Sequence, residues 1–234
     1  MLNRSRKTLV IVLASSIVTC ASALVAAATA EETRSAFETT PTGWIDLLAE
    51  IGPNLKGWTR GSIPPEAPLR EESPWTFGSK AGILHCDGRN LHEWLRFDRE
   101  FSDFILHVEW RFVPVVEGKT RYNSGLYVRN SADATIWHQA QTGSSSGGFL
   151  FGQTLVDGKK TRVDLSKAVK DQRVKPAGEW NTFELTCKGK VVKLWVNGAV
   201  TCEWNGCEVP KGFVGLEAEG YRIDFRKVVV KDLK

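Results

Sequence analysis

Between Tyr122 and Gly152 the chain sets Asn123, Tyr127, Arg129, His138, Gln139 and Gln141 into short segments broken by Gly and Ser turns. A merely stable β-sheet does not need so many donors and acceptors. Strand side chains alternate between faces, so one face can pack while the other binds, and Tyr127 and Arg129 are expected opposite Leu126 and Val128. Near neutral pH the imidazole of His138 can act as donor, acceptor, base or metal ligand. Trp137 beside it is the candidate to stack on a sugar ring, with burial as its alternative. Glu109, Glu217 and Glu219 add carboxylates on the polar faces of expected strands. A glycosidase needs two carboxylates about 5 to 10 Å apart. Glu217 and Glu219, two apart on one strand face, are separated by roughly 7 Å. The candidate catalytic residues are therefore His138, Glu109, Glu217 and Glu219. The candidate substrate-binding residues are Asn123, Tyr127, Arg129, Trp137, Gln139, Gln141 and Arg111. Arg111 and Arg129 have a structural alternative, neutralising the carboxylates in a salt-bridged sheet face. No His-x-x-x-His or Cys-x-x-Cys spacing occurs. No metal ligands are assigned and no cofactor is demanded, which leaves open a divalent cation assembled from distant residues.

The elements that must position these groups read as strands. In Phe104 to Phe112, Phe104, Leu106, Val108, Trp110 and Phe112 alternate with Ile105, His107, Glu109 and Arg111, the period of a half-buried strand. Phe213 to Glu219 repeats the scheme, with Val214, Leu216 and Ala218 on the dry face. Lys188 to Val191 and Val196 to Ala199 read as successive tight turns of a three-stranded meander. Val228, Val229 and Val230 break the alternation and imply a register change or burial on both faces. Ile63 to Pro68 reads as an extended surface loop, His92-Glu93 as a loop over the site, and Asp164 to Lys170 as one short helical segment. Many short strands with Gly and Asn turns point to an all-β sandwich or barrel.

Arg4, Arg6 and Lys7 precede the apolar run Thr8 to Ala28, and Ala28-Thr29-Ala30 supplies a small-x-small site. This is the order of a secretory signal peptide, with a retained anchor as the rival. The expected organisation is a signal over 1–30, a flexible linker over 31–42 and one domain over 43–234. The expected destination is the periplasm or the cell exterior, without stable membrane insertion once the signal is cleaved. Without the three leader cations the formal charge of +4 falls to +1, which argues against nucleic acid and an anionic surface as partners. Oligomeric state is not legible. Cys86, Cys187, Cys202 and Cys207 allow three full pairings. The meander register sets Cys187 opposite Val192 and Cys202 opposite Lys193, on opposite faces and unsuited to a direct bond. Cys202 to Cys207 is the easiest bridge, and four half-buried free thiols are the alternative.

The segments DLLAEIGPNLKGW, DFILHVEWRF, YNSGLYVRN, GEWNTFEL, LWVNG, GLEAEG and IDFRKVVVKDL occur in an order that resembles the 3-keto-disaccharide hydrolase domain family, formerly domain of unknown function 1080. The resemblance covers roughly Trp44 to Lys234. It implies a two-sheet, concanavalin-like jelly-roll β-sandwich, and hydrolysis of 3-keto-disaccharides or related glycosides by base-assisted elimination and hydration. A non-catalytic carbohydrate-binding module is the alternative. The family's Asn-Ser-Gly…Arg element falls on Asn123, Ser124, Gly125 and Arg129. Its Glu-x-Gln strand falls on Trp137 to Gln141, where Gln139 or Gln141 takes the final position. The frequent Leu-Gln-x-His is Leu216-Glu217-Ala218-Glu219 here, without the histidine.

Overall fold

The computed structural model describes residues 34–115, 121–169 and 171–233. The expected signal peptide and the first residues of the expected linker lie outside them. In chain order the elements are α1 (Ala36–Thr39), β1 (Ile45–Asp46), β2 (Trp58–Ser62), β3 (Trp75–Gly78), β4 (Ile83–Asp87), β5 (His92–Phe101), β6 (Phe104–Phe112), β7 (Gly125–Asn130) and β8 (Trp137–Gln141). Next come β9 (Leu150–Val156), β10 (Lys159–Asp164), a 3₁₀ turn (Ser166–Ala168), β11 (Asn181–Lys188), β12 (Val191–Val196), β13 (Ala199–Trp204), β14 (Gly212–Glu219) and β15 (Arg222–Asp232). They form two antiparallel sheets, one ordered β13-β12-β11-β6-β15-β4-β3 with β1 on β15, the other β10-β9-β8-β7-β14-β5-β2. This is the two-sheet jelly-roll sandwich that the resemblance implied.

The inward half of each alternating strand makes the core. Phe104, Leu106, Val108, Trp110 and Phe112 of β6 and Val214, Leu216 and Ala218 of β14 are all buried in it, as their period-two spacing required. Each such large side chain removed from water contributes about 1.5–3 kcal/mol. Trp110 meets Phe112 and Phe183 edge to face, at 5.5 and 5.2 Å. The β15 register shifts between Arg226 and Val229, where the triple valine broke the pattern.

Three expectations give way. The segment ahead of Gly43 is not a free linker: Ser35 and Glu38 form a reciprocal capping box that starts α1. The amides of Ala36 and Phe37 then donate to the Glu184 carboxylate at 2.6 and 3.0 Å, and Phe37 packs on His107 at 4.8 Å. Polar composition hid a cap and an aromatic anchor. In the meander, a bulge between Leu194 and Trp195 sets Cys202 opposite Leu194 rather than Lys193, on the buried face with Cys187. All four described cysteines are free and buried, so the Cys202 to Cys207 bridge is not formed. His92-Glu93 is not a loop either, because it begins β5.

Candidate functional site

The second sheet carries a cavity of about 340 Å³ lined by side chains from β5, β7, β8, β9 and β14 and by the loop after β2. Parity assembles it. Tyr127 pairs with Gln139, Gln139 with Phe151, Gly125 with Gln141 and Glu219 with His92, so their outward side chains form adjoining rows on one face. An isolated bridge joins Asn123 to Glu219 and extends the last row. Of the residues expected in a site, Asn123, Tyr127, Trp137, Gln139, Gln141, Glu217 and Glu219 line this cavity.

Glu217 is its hub. Tyr127 donates its hydroxyl to Glu217 Oε1, His92 Nε2 lies 3.0 Å from the same oxygen, and Gln139 Nε2 donates to Oε2 at 2.7 Å. Burial, and then the Glu217 charge, push the Tyr127 phenol well above its usual pKa, so it stays a donor. Gln141 donates to Asn123 Oδ1 at 2.6 Å and to the Ser124 carbonyl at 3.1 Å. Glu219 has a longer approach of His92, at 3.7 Å, and a weaker one of Asn123. Burial, and then repulsion by Glu217, raise the Glu219 pKa. Burial opposes charge on His92, but its hydrogen bond to Glu217 and the charges of Glu217 and Glu219 prevail and raise its pKa.

Glycines make room for this arrangement. A Cβ on Gly125 would stand 2.0 Å from Gln139 Nε2, so the bare backbone lets that amide cross to Glu217. Gly61 and Gly215 each lie within 2.5 Å of the Trp94 indole by the same measure, and Trp94 backs Tyr127 edge to face at 5.6 Å. Beside it Glu93 points the other way, held by Arg60 at 2.7 Å and by Trp75 of the facing sheet at 2.9 Å.

His138, Arg129, Glu109 and Arg111 are not in this cavity. His138 shares β8 with Trp137, Gln139 and Gln141 but has the opposite parity. Its Nδ1 donates to the Val128 carbonyl at 3.1 Å and its Nε2 accepts from Thr154 at 2.9 Å. Burial lowers its pKa to about 4, so it is a neutral structural residue. Arg129 has φ +50°, which turns its side chain off the face that alternation assigned it. It is fully buried and donates to the carbonyls of Ser102, Gly189 and Val209 and to Asp103. Glu109 and Arg111 belong to the other sheet. Glu109 pairs with Arg226 and Lys227, each at 2.6 Å, and Arg111 binds Asp224 at 3.0 Å and stacks on Trp180. Alternation identified them as outward-facing but cannot say which sheet a strand joins.

His92, read from the sequence as part of a loop over the site and not among its candidate residues, is a functional candidate in the structure. The alternation His92, Trp94 against Glu93, Leu95 was the available signal. His92 pairs with Glu219 across the β5–β14 ladder.

A family profile, the 3-keto-alpha-glucoside-1,2-lyase-like domain, matches residues 43–231. The chain belongs to this family. The match spans both sheets and every cavity-lining strand, so the cavity is part of the family domain. No curated protein sequence matches the chain. Among solved structures, two proteins of Parabacteroides distasonis provisionally described as glycosyl hydrolases are similar. One has 16% identity and TM-score 0.57 over 86% of this chain and 99% of its own. The other has 19% identity and TM-score 0.54 over 81% and 99%. Carbohydrate-binding module CBM66 of Bacillus subtilis has 15% identity and TM-score 0.53 over 76% and 98%. At these identities the likeness is one of fold. With the family match, it describes a glycosyl hydrolase-like, carbohydrate-active protein.

Proposed function

We infer that the protein cleaves 3-keto-glycosides by elimination, with Glu219 as the base. The observation that carries this reading is the inequality of the two carboxylates. Glu217 has both oxygens engaged by Tyr127, His92 and Gln139, whereas Glu219 is half-buried with a raised pKa. A two-carboxylate glycosidase needs a free carboxylate on each side of the scissile bond. Glu217 and Glu219 stand on one strand face, and each offers an oxygen to a cluster with His92 in which all three ligand atoms lie within 4.8 Å. That favours a single acid/base over a flanking pair.

A ketone at C3 acidifies the C2 proton. Glu219 takes that proton, the electron pair forms the C1–C2 double bond, and the C1 oxygen leaves. The proton returned by Glu219 makes the departing group an alcohol, and water adding across the enone completes net hydrolysis. Charge that builds on the keto oxygen is met by protonated His92. The donor set of His92, Glu217 and Glu219 also fits a divalent cation, which would supply Lewis-acid polarisation of that oxygen. A cation would have to displace the His92 to Glu217 hydrogen bond.

The deciding experiment offers mature protein 3-keto-disaccharides deuterated at C2, with their unoxidised parents, with and without chelator. Cleavage of keto sugars alone, with deuterium lost to solvent, is expected. Cleavage that retains C2 deuterium rules out this route, and binding without cleavage supports the sugar-binding module instead. Loss of activity with chelator adds the cation. Export belongs to the same proposal, and a mature amino terminus at Glu31 in the secreted protein checks it.

The pH profile follows from the same groups. The rate is expected to rise as Glu219 deprotonates, above the ordinary Glu value of 4.5, and to fall as His92 deprotonates, above the ordinary His value of 6.5. A kcat profile flat from pH 4 to pH 9 would contradict both assignments. Gly125→Ala should push the Gln139 amide off Glu217 and cut kcat/KM about tenfold or more, since a displaced active-site group costs on that order. An unchanged kcat/KM in a folded variant would remove Gln139 from the site.

A further inference from the structure

Three amide side chains of the cavity stand in series, and acceptors that cannot reverse fix which way each points. At one end Gln139 Nε2 donates to the Glu217 carboxylate at 2.7 Å and reaches Gln141 Oε1 at 3.5 Å. Gln141 turns its own Nε2 to the Ser124 carbonyl at 3.1 Å and to Asn123 Oδ1 at 2.6 Å. An ionised carboxylate and a backbone carbonyl only accept, so turning either glutamine end for end would set oxygen against oxygen. With Oδ1 committed to Gln141, Asn123 has only Nδ2 left to offer. Asn123 is the bridge partner of Glu219, and its side chain approaches that carboxylate. The donors therefore run one way, from Gln139 through Gln141 to Asn123, and the last faces Glu219.

The middle of the series is rigid and its end is not. Ser124 is fully buried, and its carbonyl also accepts the N–H and the hydroxyl of Thr142, at 3.0 and 2.7 Å. Its own hydroxyl donates to the Glu217 carbonyl at 2.7 Å, which ties the anchor of Gln141 to β14. Asn123 is only half-buried, and among the described residues Gln141 is what holds its Oδ1. Without that bond, rotation of the Asn123 amide would bring an oxygen toward the Glu219 carboxylate, and repulsion between the two would turn the carboxylate away.

We propose that Gln141 is a positioning residue: by holding Asn123 Oδ1 it keeps the Asn123 donor on Glu219, and so fixes the direction in which that carboxylate points. Gln141 acts through Asn123 and has no need to touch the sugar. The proposal rests on the elimination reading for what Glu219 then does, but not for the orientation of Asn123.

Gln141→Met keeps the length of the side chain and removes its donor, and Gln141→Leu serves if that variant folds poorly. With a 3-keto-glycoside, kcat is expected to fall about tenfold or more at a KM within about twofold of normal, the cost of a misdirected catalytic group. In an Asn123→Ala background the same substitution should change kcat by less than about twofold, because no amide is left to orient. The Asn123 side-chain amide is followed separately by NMR, its signals assigned by their absence from Asn123→Ala. They should move on Gln141→Met toward those of a solvent-facing amide. Unmoved signals, equal losses of kcat in both backgrounds, or a rise in KM alone overturn the positioning role. Moved signals in a protein that cleaves no keto sugar keep Gln141 as the residue that orients Asn123 and remove the elimination reading.

Discussion

Glu219→Gln is expected to lower kcat for a 3-keto-glycoside about 10²–10⁴-fold, the usual contribution of a positioned base, while leaving the fold intact. Glutamine keeps the shape and an acceptor but cannot take the C2 proton. The stability sign follows from linkage. Burial, and then the Glu217 charge, raise the folded pKa of Glu219, so ionisation is easier in the unfolded chain. Its charge therefore disfavours folding progressively as pH rises from the ordinary value through the raised one. Above that window Glu219→Gln should melt no lower than the unaltered protein. Single-turnover kinetics and a melting curve at pH 8 check both halves. A rate within tenfold of normal would pass the role to another group, and a lower melting temperature would mean that the carboxylate is structural.

Arg129→Met is expected to have the reverse profile, a large loss of stability with little change per folded molecule in turnover. The guanidinium is fully buried and joins the β5–β6 turn at Ser102 and Asp103, the β11–β12 turn at Gly189 and the segment at Val209. Methionine fills similar volume but leaves three carbonyls and Asp103 without that donor. Breaking a buried, hydrogen-bonded charge costs about 3–5 kcal/mol. Arg129→Lys should recover part of it, because an ammonium cannot reproduce the planar fork. Urea unfolding measures the loss, and a change within about 0.5 kcal/mol would be no more than an ordinary surface substitution costs. The strand pattern put Arg129 among the substrate-binding candidates, which predicts the opposite, a defect in KM with normal stability.

Arg129 also marks the limit of what the sequence makes legible. The sandwich could be read from β6, β14 and the meander because each strand keeps one face dry, and dryness leaves a period of two. Tyr127, Trp137, Gln139 and Gln141 follow from that period. His138 could have been separated by the same rule, since neighbouring strand residues cannot share a face, but polarity outweighed parity. For Arg129 the rule fails, because a single left-handed backbone conformation redirects the side chain and a non-glycine residue gives no warning of it. Glu109 and Arg111 were read with the right exposure and the wrong sheet, since strand order is a property of the assembled fold. His92 stayed hidden because its partners, Glu217 and Glu219, lie more than a hundred residues downstream in the sequence.

That separation has a kinetic consequence. The Glu217 hub draws Tyr127 from 90 residues away, Gln139 from 78 and His92 from 125. Non-local pairings of this kind form late and slowly, because loop closure must be met before any contact repays it. No early intermediate can hold the hub, and half of the second sheet has no half-built pocket to offer. Regain of turnover during refolding therefore reports the final closure of the sandwich, and should lag behind the recovery of β-sheet signal.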